Sequence, residues 1–236
     1  MVNNRESIRS LKKRILKILK QRDFDEAWRE LLHIPMQQAI NALLSFLYHN
    51  EEPEIKWHAV SLLGVLVSRL AQEDMEAARV IIRRLMWNLN DESGGIGWGS
   101  PEAMGEILAA VKVLAVEYAP MLMSYAKEEG NFQENSYMQR GVLWALARLA
   151  SRRPELLEDV GPHIIPFLQS TDATIRGLAA WITGLLGVEE ARPGLEDLMD
   201  DDSRIQIYQD GKIGDYCVKD LAREALKRLF CAEHLV

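Results

Sequence analysis

The residues with most to offer chemically are four of the six tryptophans, one acid, one arginine and a single glycine-rich stretch. Trp57, Glu106 and Arg140 occupy equivalent positions of an internal repeat, and Trp144 and Trp181 share the position four residues further along. Residues four apart lie one above the other on a helix, so these side chains form one surface. Aromatics beside an acid and an arginine suit recognition: the rings supply anchoring area, and the charges supply register. Stacking of equivalent positions predicts that Glu106 pairs with Arg140, that Trp144 lies beside Trp181, and that Gly177 leaves space over Trp181.

The glycine-rich stretch runs from Trp87 to Glu106, WNLNDESGGIGWGSPEAMGE. Gly94, Gly95, Gly97 and Gly99 permit backbone angles or close approaches closed to other residues. A phosphate-binding loop would end in Gly-Lys-Ser/Thr after a strand, and neither feature is present. The stretch instead leaves through Ser100-Pro101-Glu102, an N-cap, a first-turn proline and a first-turn acid. It reads as a clamp at the rim of the patch, carrying Asp91, Glu92 and Trp98, with Gly94, Gly95 and Gly97 as its permissive backbone. In an enzyme the same loop would be a lid, with Asp91, Glu92 or Glu106 as acid–base groups.

Other chemistries lack their residues. The histidines (His33, His49, His58, His163, His234) show neither HExxH nor a Cys/His spacing for zinc, so no metal site is assigned. No Gly-x-Ser-x-Gly elbow is present, so no catalytic residue is assigned and no cofactor is implied. Cys217 and Cys231 read as members of one terminal helix; ~21 Å apart at helical rise, they would be beyond disulfide reach.

The elements that position the patch are helices. Residues 5–21 form an amphipathic helix with Ile8, Leu11, Ile15, Ile18 and Leu19 on its apolar stripe. Asp23 or Asp25 caps a second helix, and Pro35 opens a third from Met36 to about Tyr48. The segment from Glu54 to Gly64 then matches that from Asp172 to Gly184. Ile55 aligns with Ile175, Lys56 with Arg176, Ala59 with Ala179 and Gly64 with Gly184. Looser copies begin at Met104, Met138 and Val218, so the anchors are separated by 49, 34, 37 and 43 residues. That period, filled by helix pairs, is the pattern of a solenoid. Partner helices fall near Asp74–Asn90, Pro120–Lys127, Pro162–Ser170 and Glu189–Met199. One stretch breaks the helical rule: residues 204–213 alternate around Asp210-Gly211, a small hairpin before the last helix.

The segment DATIRGLAAWITGLLG, Asp172 to Gly187, resembles a bacterial HEAT-like repeat of the phycobilisome-lyase type, and DYCVKDLAREAL, Asp215 to Leu226, is similar to it with Lys219 in place of the arginine. The resemblance extends from about Pro35 to the end. It implies an all-α superhelix of about five helix pairs, with the second helix of each pair lining a concave face; the patch above belongs there by that resemblance. It does not carry lyase activity with it. The His-Glu dipeptides of HEAT-like di-iron hydroxylases are absent. The basic concave face of HEAT-like DNA glycosylases conflicts with the charge balance here.

That balance is uneven. The net charge is −7, yet residues 1–22 hold eight Lys/Arg against Glu6 alone, a net +7, which leaves −14 on the remainder. An acidic body argues against nucleic acid as partner. The first helix reads as an end cap, or as a contact for a partner helix or an anionic surface. No apolar run approaches the ~20 residues of a membrane span, and no secretory leader is evident, so a cytoplasmic location is expected. The chain is read as one domain, residues 1–34 capping repeats 35–236. Its function is read as a non-enzymatic scaffold that binds a protein or peptide on its concave face. The alternative is a binding protein for a small, tetrapyrrole-like ligand, or a lyase-type enzyme.

Overall fold

A computed structural model describes residues 7–21, 23–49, 51–90 and 97–233. Two leading helices, α1 (Ile8–Leu19) and α2 (Phe24–Leu31), precede five pairs: α3 (Met36–Leu44) with α4 (Pro53–Glu73), α5 (Met75–Leu89) with α6 (Ser100–Ala110), α7 (Lys112–Ser124) with α8 (Ser136–Ala150), α9 (Gly161–Ile164) with α10 (Ala173–Leu186), and α11 (Arg192–Asp197) with α12 (Val218–Glu233). A hairpin of β1 (Arg204–Gln209) and β2 (Lys212–Cys217) lies between α11 and α12. The second members, α4, α6, α8, α10 and α12, pack side by side in one row. A single apolar core runs through the pairs from Leu11 to Leu229.

Local sequence places the helix starts. Asp23, Asp74, Asn135 and Asp172 each accept hydrogen bonds from first-turn amides of the helix that follows. α6 departs from expectation. Its cap is Gly99, in a left-handed conformation (φ 75°), and Ser100 lies inside the helix, fully buried. A side chain at position 99 would also meet the Leu47 carbonyl oxygen at 2.5 Å, so the loop exit is packed against the connection between α3 and α4.

Three further expectations are corrected. α7 begins at Lys112, about two turns before Pro120, because Leu114, Ala115 and Ala119 are drawn into the core and the helix tolerates the missing amide. Ile8 is 77% exposed; α1 meets the core through Leu11, Ile15, Ile18 and Leu19, one turn later. Cys217 closes β2 and does not belong to α12; it is a half-buried free thiol.

The hairpin is present and longer than expected. Arg204 pairs with Cys217 and Gln209 with Lys212 in antiparallel register. Asp210 (φ 51°) and Gly211 (φ 82°) form the turn, both in the left-handed region that two-residue hairpin turns demand.

Candidate functional site

The inner row is curved enough for side chains of non-neighbouring helices to touch. Trp57 of α4 and Trp144 of α8 lie with ring centroids 4.6 Å apart, although α6 runs between their helices. This face is the concave one. Across it lies the hairpin. Tyr208 stacks on Trp57 at 4.8 Å, nearly parallel (5°), and its hydroxyl is 2.8 Å from Ser61 Oγ. Trp144 Nε1–H donates to the Tyr208 carbonyl oxygen at 2.8 Å. Burial pushes the Tyr208 hydroxyl above the ordinary tyrosine range, against the lowering effect of its Ser61 hydrogen bond.

The base of the hairpin is fixed as firmly. Arg176 donates to Asp201 and to Ser203, and Asp201 Oδ1 accepts from the Ser203 amide. Burial opposes the Asp201 charge, but these donors prevail and hold its carboxyl below the usual range. Ile205 fills the space left by Gly177, where a β-carbon would come within 2.3 Å of Ile205 Cδ1. The gap expected over Trp181 is therefore taken by the hairpin.

The hairpin divides the concave face into two recesses. The first, about 530 Å³, is walled by Trp57, Tyr137 and Trp144, with Arg140, Thr174 and Arg204 among its other lining residues. Lys56 and Glu102 also line it, both buried and joined at 2.9 Å, with the Lys56 ammonium 4.3 Å above the Trp57 ring. Burial works against the Lys56 charge, but Glu102, with Tyr137, outweighs it and raises the ammonium above the ordinary lysine value. The second Glu102 oxygen is buried without a hydrogen-bond partner. The second recess, about 540 Å³, is lined by Phe24, Glu106, Arg148, Trp181 and the hairpin turn, and Trp144 borders both.

The expected pair of Glu106 with Arg140 does not form. Both Glu106 oxygens are held by Arg148, at 2.6 and 2.9 Å, and Arg140 instead grips Asp172 Oδ2 at 2.8 Å through Nε. The reason is the alignment of α6: Gly105 lies against Ala145 and Glu106 against Gly64, so α6 packs more than a helical turn away from the position given by aligning Met104 with Ile55 and Met138. Asp172 thereby serves twice, capping α10 with one oxygen and holding Arg140 with the other.

Trp144 and Trp181 share the second recess, but the aromatic neighbours of Trp144 are Trp57 and Tyr208. Trp98 does not line the first recess but has its ring 5.2 Å from that of Tyr137, which does, and Gly97 is buried against Asn88 and Met138. Asp91, Glu92, Gly94 and Gly95 lie outside the described residues.

Sequence reasoning missed Tyr208, Lys56, Tyr137 and Arg148 as site residues. The Asp210-Gly211 turn marks the hairpin but not where it docks. Lys56 was visible only as the partner of Arg176 in the repeat alignment.

A HEAT-like repeat family model matches residues 136–182. No curated protein matches the chain. Among solved structures, a designed armadillo repeat protein is 17% identical with a TM-score of 0.52, covering 92% of this chain and 98% of that one. A second designed armadillo repeat protein, solved in complex with the peptide (KR)4, is 16% identical with a TM-score of 0.51, over 92% of this chain and 98% of that one. A chain from the structure of Kap95p with RanGDP is 14% identical with a TM-score of 0.61, covering 92% of this chain and 28% of that one. At these identities the likeness concerns the fold: an α-helical repeat solenoid.

Proposed function

We propose that this chain is a non-enzymatic HEAT-like scaffold that takes a segment of a protein or peptide onto its concave face, with the hairpin as a fixed divider between two subsites. The observation that carries this reading is the pair of recesses on either side of Tyr208, aromatic-walled and bordered by polar groups. Trp57, Trp144 and Trp181 are the anchors. Arg140 and Glu106 supply polar selection, each held in place by its own ion pair. The armadillo design solved with a peptide is a structural relative whose fold serves such binding, which supports the reading. The glycine-rich stretch 91–100 is read as a rim clamp, a role supported by Trp98, which rests on Tyr137 of the first recess. The chain works as one unit, residues 1–34 capping repeats 35–236, and as a cytoplasmic protein.

One observation favours a second reading. The first recess has a volume within the range of small-molecule sites, and a buried carboxylate oxygen on its lining has no partner. A small ligand with a hydrogen-bond donor fits that oxygen, with the clamp as a lid; the phycobilisome-lyase resemblance of Asp172–Gly187 supports a tetrapyrrole-like one.

The discriminating experiment is a pull-down from native lysate with wild type and with Arg140→Ala/Trp181→Ala. The scaffold reading expects a discrete protein held by wild type and lost by the variant. A bait that retains that protein after both substitutions, or captures none, contradicts it. Native mass spectrometry of the purified protein reports the rival: a bound small molecule that Glu102→Gln releases.

A further inference from the structure

We infer that α1 carries a second docking surface, separate from the concave face, that binds a short acidic protein segment bearing one or two large apolar residues.

α1 has two working faces. Leu11, Ile15, Ile18 and Leu19 enter the core. Ile8, Arg9, Lys12, Lys13 and Leu16 recur at helical spacing on another face and border a groove of about 570 Å³, closed on its far side by Ser45, Phe46 and His49. Ile8 is the most exposed large apolar side chain among the described residues, at 77%. Leu16 and Phe46 are half-buried along the same groove.

Charge sets this surface apart. Elsewhere, several arginines are closed into ion pairs within the chain, Arg79 with Glu117, Arg83 with Glu76, Arg223 with Asp220 and Arg228 with Glu224, while exposed Arg29, Arg84, Arg152 and Arg204 stand outside α1 without an acidic partner among the described residues. Among the described residues, Arg9, Lys12, Lys13 and Lys17 have no acidic partner, and α1 holds no acidic residue to supply one. Four unneutralised cations on one short helix, in a chain of net charge −7, form a local field that attracts anionic groups.

The shape of the surface selects the class of anion. A helix lying on a lipid surface must present its apolar face outward, and here that face is spent on the core, leaving Ile8 as the one fully exposed apolar group on α1. An apolar groove does not match a phosphate backbone, and a body of −14 repels a long polyanion. A peptide that lays an apolar side chain into the groove and sets its carboxylates against Arg9, Lys12 and Lys13 satisfies both features.

The test uses a fluorescein-labelled synthetic peptide of Asp and Glu residues around one Leu and one Phe, and a same-length peptide with Lys in place of every acid. Anisotropy is expected to show saturable binding of the acidic peptide only, weakening as salt is raised. Lys12→Glu/Lys13→Glu is expected to weaken it by at least about tenfold, and Lys112→Glu, on the exposed start of α7, to leave it unchanged. Ile8→Ser, which does not alter charge, is expected to weaken it as well. Absence of saturable binding, or binding indifferent to Lys12→Glu/Lys13→Glu, overturns the inference. So does capture of phosphatidylserine vesicles or a single-stranded oligonucleotide through these lysines when the peptide is not bound. None of these outcomes bears on the concave recesses, whose residues are unchanged in every variant.

Discussion

Tyr208 and Ser61, 147 positions apart in sequence, meet with their hydroxyl oxygens 2.8 Å apart across the concave face. The contact joins the hairpin before the last helix to the second helix of the first pair, so the arc of the solenoid is closed by a strut. A solenoid whose repeats touch only their neighbours is free to flex along its length. Here the strut fixes the distance between distant repeats and so the width of both recesses. Tyr208→Phe removes only the hydroxyl contact and is expected to cost about 1 kcal/mol. Tyr208→Ala empties the slot beside Trp57 and is expected to cost about 3–5 kcal/mol by urea denaturation. Equal losses in the two variants would show that the ring does not carry the contact.

The strut rests on the absence of a side chain at Gly177. Gly177→Val is expected to drive Ile205 from its seat and raise hydrogen exchange across Arg204–Gln209 more than in α12, whose Leu221 Cδ1 lies farther from the new β-carbon (3.1 Å against 2.3 Å). The cost is on the order of 1–3 kcal/mol, the range for overpacking. Unchanged exchange in β1 would mean that Ile205 has room to move aside.

The buried pair of Lys56 and Glu102 makes a prediction that surface pairs would not. Lys56→Met or Glu102→Leu alone leaves one buried charge unmatched and is expected to destabilise by about 3–5 kcal/mol. The double substitution removes both charges and is expected to cost markedly less than the sum. Additive losses would indicate that water reaches the pair.

Alkaline pH should release the strut. Tyr208 has its hydroxyl pKa raised on folding, and so does Tyr125, pushed up to about 12 by burial despite the opposing effect of Asn90. A raised folded value favours the protonated form, so this stability is complete below the unfolded tyrosine value of 10.0 and is lost as pH rises through the folded values. Lys56, raised above 10.5, shifts in the same direction. Stability followed from neutral pH upward is expected to hold to about pH 10 and then fall, with a smaller fall in Tyr208→Phe. An identical profile in that variant would separate Tyr208 from the transition.

Much of this architecture was legible in the sequence. The recurrence of Ile55, Met104, Met138, Ile175 and Val218 marks the inner row, because the core accepts the same residue type once per pair. Asp210-Gly211 marks the hairpin because few other dipeptides suit two left-handed residues. The site was legible only in part. The alignment placed Trp57, Glu106, Arg140, Trp144 and Trp181 on one face, yet not the charge partners, because α6 packs more than a turn away from the position its Met104 alignment gives it, with Gly105 facing Ala145 and Glu106 facing Gly64. Tyr208 was hidden for a different reason: its partners Trp57, Ser61 and Trp144 are remote in sequence, and no local period records such a contact.

The most direct measurement is site-specific photo-crosslinking in native lysate, with a photoreactive phenylalanine placed in turn at Thr174 in the first recess, Ser151 in the second and Val116 on the outer helix α7. A concave scaffold spanning both subsites predicts that Thr174 and Ser151 trap the same protein and that Val116 does not. Crosslinks confined to Val116, or different proteins from the two recesses, would contradict it.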